Sequence, residues 1–144
     1  MPSVTIGSQD LIQDGPILEV HFLISSELEK KYNEDKIPFP APVVVKALID
    51  TGATTCVIQK SIPETLRLQP VGKIKIQTPS SKDHECFQYF MRMHIPIQGI
   101  TYEGVFIATP LEGQNIGCLI GRDLLQKGIL IYIGYMNQFT FSLL

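Results

Sequence analysis

The sequence predicts an all-β fold. Strand-length runs of alternating or β-branched apolar residues recur along the chain, as in residues 17–24, 43–49, 73–77 and 138–144. Proline, glycine and short polar clusters separate these runs. Helical patterning is confined to two short stretches, after Ser61 and after Gly121. At 144 residues there is room for one domain, and two would be crowded.

Residues 1–16 are polar and punctuated by Gly7, Gly15 and Pro16, and read as a loose arm or a short edge strand. Residues 17–24 alternate. Leu18, Val20, Phe22 and Ile24 form an apolar face expected to point inward, opposite Ile17, Glu19, His21 and Leu23. His21 reads as a solvated strand residue. Residues 25–40 are charge-dense but balanced in sign, and are expected to form a solvated loop or a single helical turn. Pro38, Pro40 and Pro42 then hold the chain extended. These first 40 residues (arm, first strand and polar loop) are read as part of the same domain as residues 41–144.

Residues 43–49 are apolar at nearly every position, as expected of a strand covered on both faces. Residues 56–58 suggest another short buried strand. Ser61-Ile62-Pro63-Glu64 fits a capping box, with a helix expected as far as Leu68. Residues 73–97 read as a long hairpin whose return arm sets Phe87, Tyr89, Met91, Met93, Ile95 and Ile97 on one face, with a polar tip over residues 78–85. A turn at Gln98-Gly99, a strand over 100–108, a loop over 109–116 and a short buried strand over 117–120 follow. A helix over 122–127 is expected to be closed by Gly128 in the left-handed conformation. Residues 129–135, a turn at Met136-Asn137 and a last strand over 138–144 complete the chain. That last strand alternates Phe139, Phe141 and Leu143 with Gln138, Thr140 and Ser142, and is expected to present an uncovered edge.

The stretch Ala47-Leu48-Ile49-Asp50-Thr51-Gly52-Ala53-Thr54 carries the chemistry. Three apolar residues deliver Asp50 to the end of a strand. Thr51 follows with a hydroxyl, and Gly52 permits a sharp turn and close approach of a ligand. Apolar flanks are expected to bury Asp50 at the base of a cleft and raise its pKa. A second carboxylate beside it would act more strongly, because two like charges in contact cannot both ionise. The chain has one such stretch, so a pair requires two chains.

Together with Cys118-Leu119-Ile120-Gly121-Arg122-Asp123-Leu124-Leu125, about seventy residues later, this stretch resembles the retropepsins. These are the homodimeric aspartic proteases of retroviruses, retrotransposons and their cellular relatives. The resemblance covers residues from about 41 onward. It implies a closed retropepsin-like β-barrel with one short C-terminal helix, an acid protease fold with one half-site per chain. It implies an aspartic endopeptidase in which Asp50, Thr51 and Gly52 of each subunit form the catalytic centre. Thr51 would hold the two turns rigid by hydrogen-bonding across the pair. Ala53 and Thr54 would line the floor of the substrate cleft, and Leu119 and Ile120 its apolar walls. The hairpin would serve as a flap, with Thr78, Pro79, Ser80 and Ser81 over the bound peptide. Two departures stand out: the flap tip lacks the glycine-rich sequence of viral flaps, and Thr54 replaces the acid that pairs with the family's arginine. Arg122 is therefore expected to be a structural ion-pair partner, of another carboxylate or of a different chain.

Other classes fit less well. The formal net charge is −2 with no basic cluster, which gives no footprint for nucleic acid. No apolar run reaches the ~18 residues needed to span a bilayer, and the first residues lack a signal-peptide pattern, so a cytoplasmic protein is the default expectation. Cys56, Cys86 and Cys118 are widely spaced and read as free thiols, and the scattered His21, His84 and His94 give no metal-ligand spacing. No cofactor, metal, nucleic acid or membrane partner is expected, only a second copy and a polypeptide substrate. Asp50-x-Gly52-x-Thr54-Thr55 also matches a phosphate-binding hairpin of actin-like and sugar-kinase ATPases, but that fold needs two duplicated domains. The rival within the same fold is a catalytically idle dimerisation or peptide-binding module.

Overall fold

The computed structural model describes residues 3–78, 81–111 and 115–143. In chain order the elements are β1 (Ser3–Gly7), α1 (Leu11–Asp14), β2 (Ile17–Leu23), α2 (Ser26–Glu34), β3 (Val43–Ile49), β4 (Val57–Gln59) and α3 (Ser61–Thr65). They continue with β5 (Gly72–Thr78), β6 (Ser81–Ile95), β7 (Ile100–Thr109), β8 (Cys118–Ile120), α4 (Arg122–Leu125), β9 (Gly128–Ile133) and β10 (Gln138–Leu143). Six strands close into a barrel in the order β2-β3-β8-β4-β7-β6. The ring is completed where β6 returns to β2, pairing His21 with His94, Phe22 with Met93 and Leu23 with Arg92. β5 extends the sheet beyond β6. A separate three-stranded sheet runs β1-β10-β9. The fold is the closed all-β barrel expected, and α1 and α2 join the two short helices anticipated after Ser61 and after Gly121.

The barrel interior follows the period-two pattern of its strands. Leu18, Val20 and Phe22 of β2 face Met91, Met93 and Ile95 of β6, and all are buried. Phe22 meets Phe106 edge-on at 5.4 Å between ring centroids. Phe139, Phe141 and Leu143 of β10 join this same core, as does Leu11 of α1. Residues 1–16 are therefore no loose arm among the described positions. β1 pairs with β10 from Ser3–Ser142 to Gly7–Gln138, and α1 seats Leu11 inside. The pairing also corrects the expectation for the last strand, because β10 lies between β1 and β9 and neither of its edges is bare.

Four local readings change for physical reasons. Residues 25–40, expected to be a loop or a single helical turn, contain the nine-residue helix α2. Ser25 caps it by accepting the Leu28 N–H at 3.2 Å, and Leu28 and Tyr32, one turn apart, pack against the core. Arg92 fastens it by an ion pair to Glu29 at 2.7 Å and a bond from Nε to the Ile24 carbonyl at 2.7 Å. Two apolar positions give little periodicity in a sequence but enough surface for tertiary docking. β3 is not covered on both faces but alternates, with Val44 55% exposed and Lys46 exposed on the outer face while Ala47 and Ile49 are buried on the inner one. The expected capping box does not form: α3 begins after Lys60 with no side-chain cap, and Arg67 turns left-handed (φ 55°) just after it. Gly128 does not close α4 in a left-handed conformation. It is the first residue of β9, and a side chain there would run into the Ser142 carbonyl of the neighbouring strand.

Candidate functional site

β3 and β8 run parallel, pairing Ala47 with Cys118, Leu48 with Leu119 and Ile49 with Ile120. Their ends therefore coincide, and the two sequence blocks singled out above leave the barrel side by side. The Asp50 N–H donates to the Ile120 carbonyl at 2.9 Å, which anchors the turn at its start. The turn then tightens around the carboxylate. Gly52 N–H donates to Asp50 Oδ1 at 2.9 Å, and Ala53 N–H to the Asp50 carbonyl at 3.2 Å. A backbone N–H aimed at a carboxylate fixes its orientation. In the single chain Asp50 is half-buried, while Thr51, Gly52 and Thr54 are exposed and Ala53 is half-buried.

The start of α4 lies directly against this turn. Arg122 N–H donates to the Ala53 carbonyl at 2.8 Å and Asp123 N–H to the Thr54 carbonyl at 3.1 Å. The turn thereby satisfies helix N-terminal donors that have no intrahelical partner. Gly121 makes the approach possible, since a Cβ there would sit 2.5 Å from the Thr55 backbone. Arg122 was expected to enter an ion pair. Among the described residues its guanidinium instead donates to the Thr51 carbonyl at 2.7 Å and to Thr54 Oγ1 at 3.3 Å. Thr54, standing where the family's acid was expected, still receives the arginine, now as a neutral acceptor.

Sequence reasoning did not identify Asp123 and Cys56 as part of this assembly. Asp123 Oδ2 accepts the Cys56 N–H at 3.1 Å, and Oδ1 accepts both the Cys56 thiol at 3.2 Å and the Leu124 N–H at 2.8 Å. Cys56 Sγ in turn accepts the Gly121 N–H at 3.4 Å. Burial, helped by the Asp123 charge, pushes the Cys56 thiol up to about 12. Cys118, wholly enclosed, is pushed well above its ordinary value, also chiefly by burial. The available signal was the adjacency of Asp123 to Arg122, which does not reveal which way either side chain points.

The expected walls divide. On β8, side chains alternate, so Cys118 and Ile120 enter the core and Leu119 takes the opposite, half-buried face. Ile120 is completely buried and cannot be a wall; Leu119 remains available. The hairpin of β5 and β6 pairs from Gly72–Gln88 to Ile76–His84, shifts register, and then pairs Thr78 with Ser81. Pro79 and Ser80 lie outside the described residues, as do the side chains of Thr78 and Ser81. Among the described residues no cluster of three His, Cys, Asp or Glu side chains could hold a metal ion. A cavity of 850 Å³ between α2, the residues after α3, and β6 is lined by Leu28, Tyr32, Leu68, Val71 and Phe90 among others, and by none of the Asp50 turn.

Comparison with known proteins agrees with this arrangement. The chain resembles the crystal structure of a retropepsin-like aspartic protease from Rickettsia conorii with a TM-score of 0.55 at 13% identity, covering 98% of this chain and 90% of that one. It also aligns with a foamy viral protease-reverse transcriptase solved with an RNA/DNA hybrid, with a TM-score of 0.48 and 15% identity over 77% of this chain. The alignment spans only 12% of that longer chain. No curated protein matches the sequence. The sequence pattern of the family described as aspartyl protease matches residues 41–124, more than half of the chain and both blocks that meet at Asp50. The chain belongs to the aspartyl protease family and has the retropepsin-like fold.

Proposed function

We propose that this chain is an aspartic endopeptidase whose acid pair forms from Asp50 of two copies. The observation that carries the reading is the Asp50 turn: a carboxylate at the junction of β3 and β8, oriented by the Gly52 N–H, on a loop whose neighbouring residues face solvent. One carboxylate cannot be both base and acid in the same step. Two sharing a proton can. In such a pair the ionised member takes a proton from a water while the protonated member gives its own proton to the scissile carbonyl oxygen. The water oxygen adds to the carbonyl carbon and gives a tetrahedral diol. Transfer of a proton to the amide nitrogen then breaks the C–N bond. The titration belongs to the pair and not to either copy.

Thr51, exposed beside Asp50, is suited to bond across the pair, and its carbonyl is already held by Arg122. Ala53, Thr54 and Leu119 are the floor and wall residues in this reading. The β5–β6 hairpin is proposed to cover an extended peptide bound against them. The terminal sheet supports pairing of copies. Ile129 and Ile131 are each 50% exposed on one face of β9, and among the described residues β1 and β9 pair only with β10.

The test is cleavage of a mixed peptide library at acid and neutral pH by the wild-type chain and by Asp50→Asn, alongside sedimentation over a range of concentrations. We expect wild-type cleavage that rises with dimer content and a loss of about a thousandfold in the variant, the scale of a missing general acid or base. Equal cleavage by both proteins, or cleavage by a strict monomer, would overturn the proposal. Silence from both would leave the idle binding module as the better reading.

A further inference from the structure

We propose that Asp123 is a positioning residue for Asp50, acting through Cys56 to fix the far end of the catalytic turn. The inference rests on the proteolytic reading of Asp50. The turn is held at three places. Its start is tied by Asp50 N–H to the Ile120 carbonyl, and its middle by Arg122 to the Thr51 and Ala53 carbonyls. Its exit into β4 is tied by Asp123, whose carboxylate gathers the Cys56 N–H, the Cys56 thiol and the Leu124 N–H.

The first two ties consist of backbone carbonyls receiving a donor. The third is a carboxylate that gathers three donors, two of them from one residue, and it is charge-assisted in the same way as the bond from the Arg122 guanidinium to the Thr51 carbonyl. A thiol is ordinarily a weak donor. Here it is enclosed, with Cys56 only 2% exposed, and burial keeps its proton in place throughout the working pH range. Its sulfur also accepts the Gly121 N–H, so the same residue grips the start of α4. Asp123 thus links the exit of the turn to the helix whose N–H groups and arginine hold the rest of it. An amide at position 123 could accept at one atom only, and its NH₂ would face a donor it cannot satisfy.

The experiment measures kcat and KM on a cleaved peptide, together with hydrogen exchange of the Gly52 amide, whose N–H reports the Asp50 carboxylate directly. For Asp123→Asn we expect kcat to fall about tenfold or more with KM within about twofold, and Gly52 exchange to quicken, since small misplacements of reacting groups cost that much. Cys56→Ser, which keeps a hydroxyl donor, should lose less than Cys56→Val, which does not. Val20→Ala, a core truncation on β2, controls for stability and should lower the melting temperature while sparing kcat and Gly52 exchange.

The proposal is overturned if kcat follows melting temperature equally in all variants, or if Cys56→Ser and Cys56→Val fall alike. Should Asp123→Asn not fold, the Cys56 pair decides. If the wild-type chain cleaves nothing, the proteolytic reading falls by itself. Gly52 exchange then still judges the tie, and equal exchange in Cys56→Ser and Cys56→Val would remove it.

Discussion

In the barrel, β6 returns to β2, so six strands share their edges in a ring; the three-stranded sheet β1-β10-β9 instead ends in β1 on one side and β9 on the other. Both contribute to one core, because Phe139 and Phe141 of β10 are as fully buried as Phe22 and Phe106 of the barrel. Their outward faces differ. β9 leaves Ile129 and Ile131 half exposed, Ile129 in register with Ser142 and then Ser3, and Ile131 with Thr140 and then Thr5. A closed ring disposes of its own edges. An open sheet with two half-exposed isoleucines on one strand is the face on which the proposed pairing of copies is to be sought. The barrel mounts Asp50 between paired strands, and the terminal sheet is where the proposed second copy would be tested.

The largest expected effect tests whether the two sheets are one cooperative unit. Phe106→Ala and Phe141→Ala should each cost about 3–5 kcal/mol and leave a single urea transition, because both rings fill the same core. A Phe141→Ala protein that kept the barrel transition unchanged would make the terminal sheet an appendage. Alkaline pH should act on the barrel first, since Cys56 and Cys118 are buried in its core and burial raises both thiols. A raised folded pKa means stability is fully present below the unfolded value and lost as pH climbs toward the folded one. Urea midpoints should therefore hold up to about pH 8.5 and then decline, by up to about 1.4 kcal/mol per pH unit for each buried thiol. A flat profile to pH 11 would contradict this. Gly128→Ala should cost about 1–3 kcal/mol through its clash with the Ser142 carbonyl, read as a lower melting temperature. The smallest effect on the chain itself is expected from Ile131→Lys, within about 0.5 kcal/mol in denaturant. The same variant should sediment as a monomer and lose peptide cleavage. Full activity would move the proposed contact away from this face.

How much was legible in advance depended on whether a pattern was local. The inward face of β2 and the alternation of β10 could be read directly, because the period of a strand is carried by the residues themselves. The two blocks around Asp50 and Arg122 were also visible as motifs. α2 was not, since Leu28 and Tyr32 mark a helix only once a core exists for them to dock on. Ile120 was misplaced for a related reason: a three-residue strand has too short a period to show which side faces in. Arg122 was expected to find a carboxylate and found carbonyl and hydroxyl oxygens, a partner choice made by the loop that folds beneath it.

From its sequence alone, then, this protein's all-β class, its barrel core and the position of its Asp-Thr-Gly turn follow, because each is carried by residues near one another in the chain. Only the tertiary structure decided that β1 covers β10, that Gly121 lies against Thr55, and that Asp123 grips Cys56 sixty-seven positions away. Such contacts depend on how strand ends are brought together when a barrel closes, and no short stretch of sequence encodes that geometry.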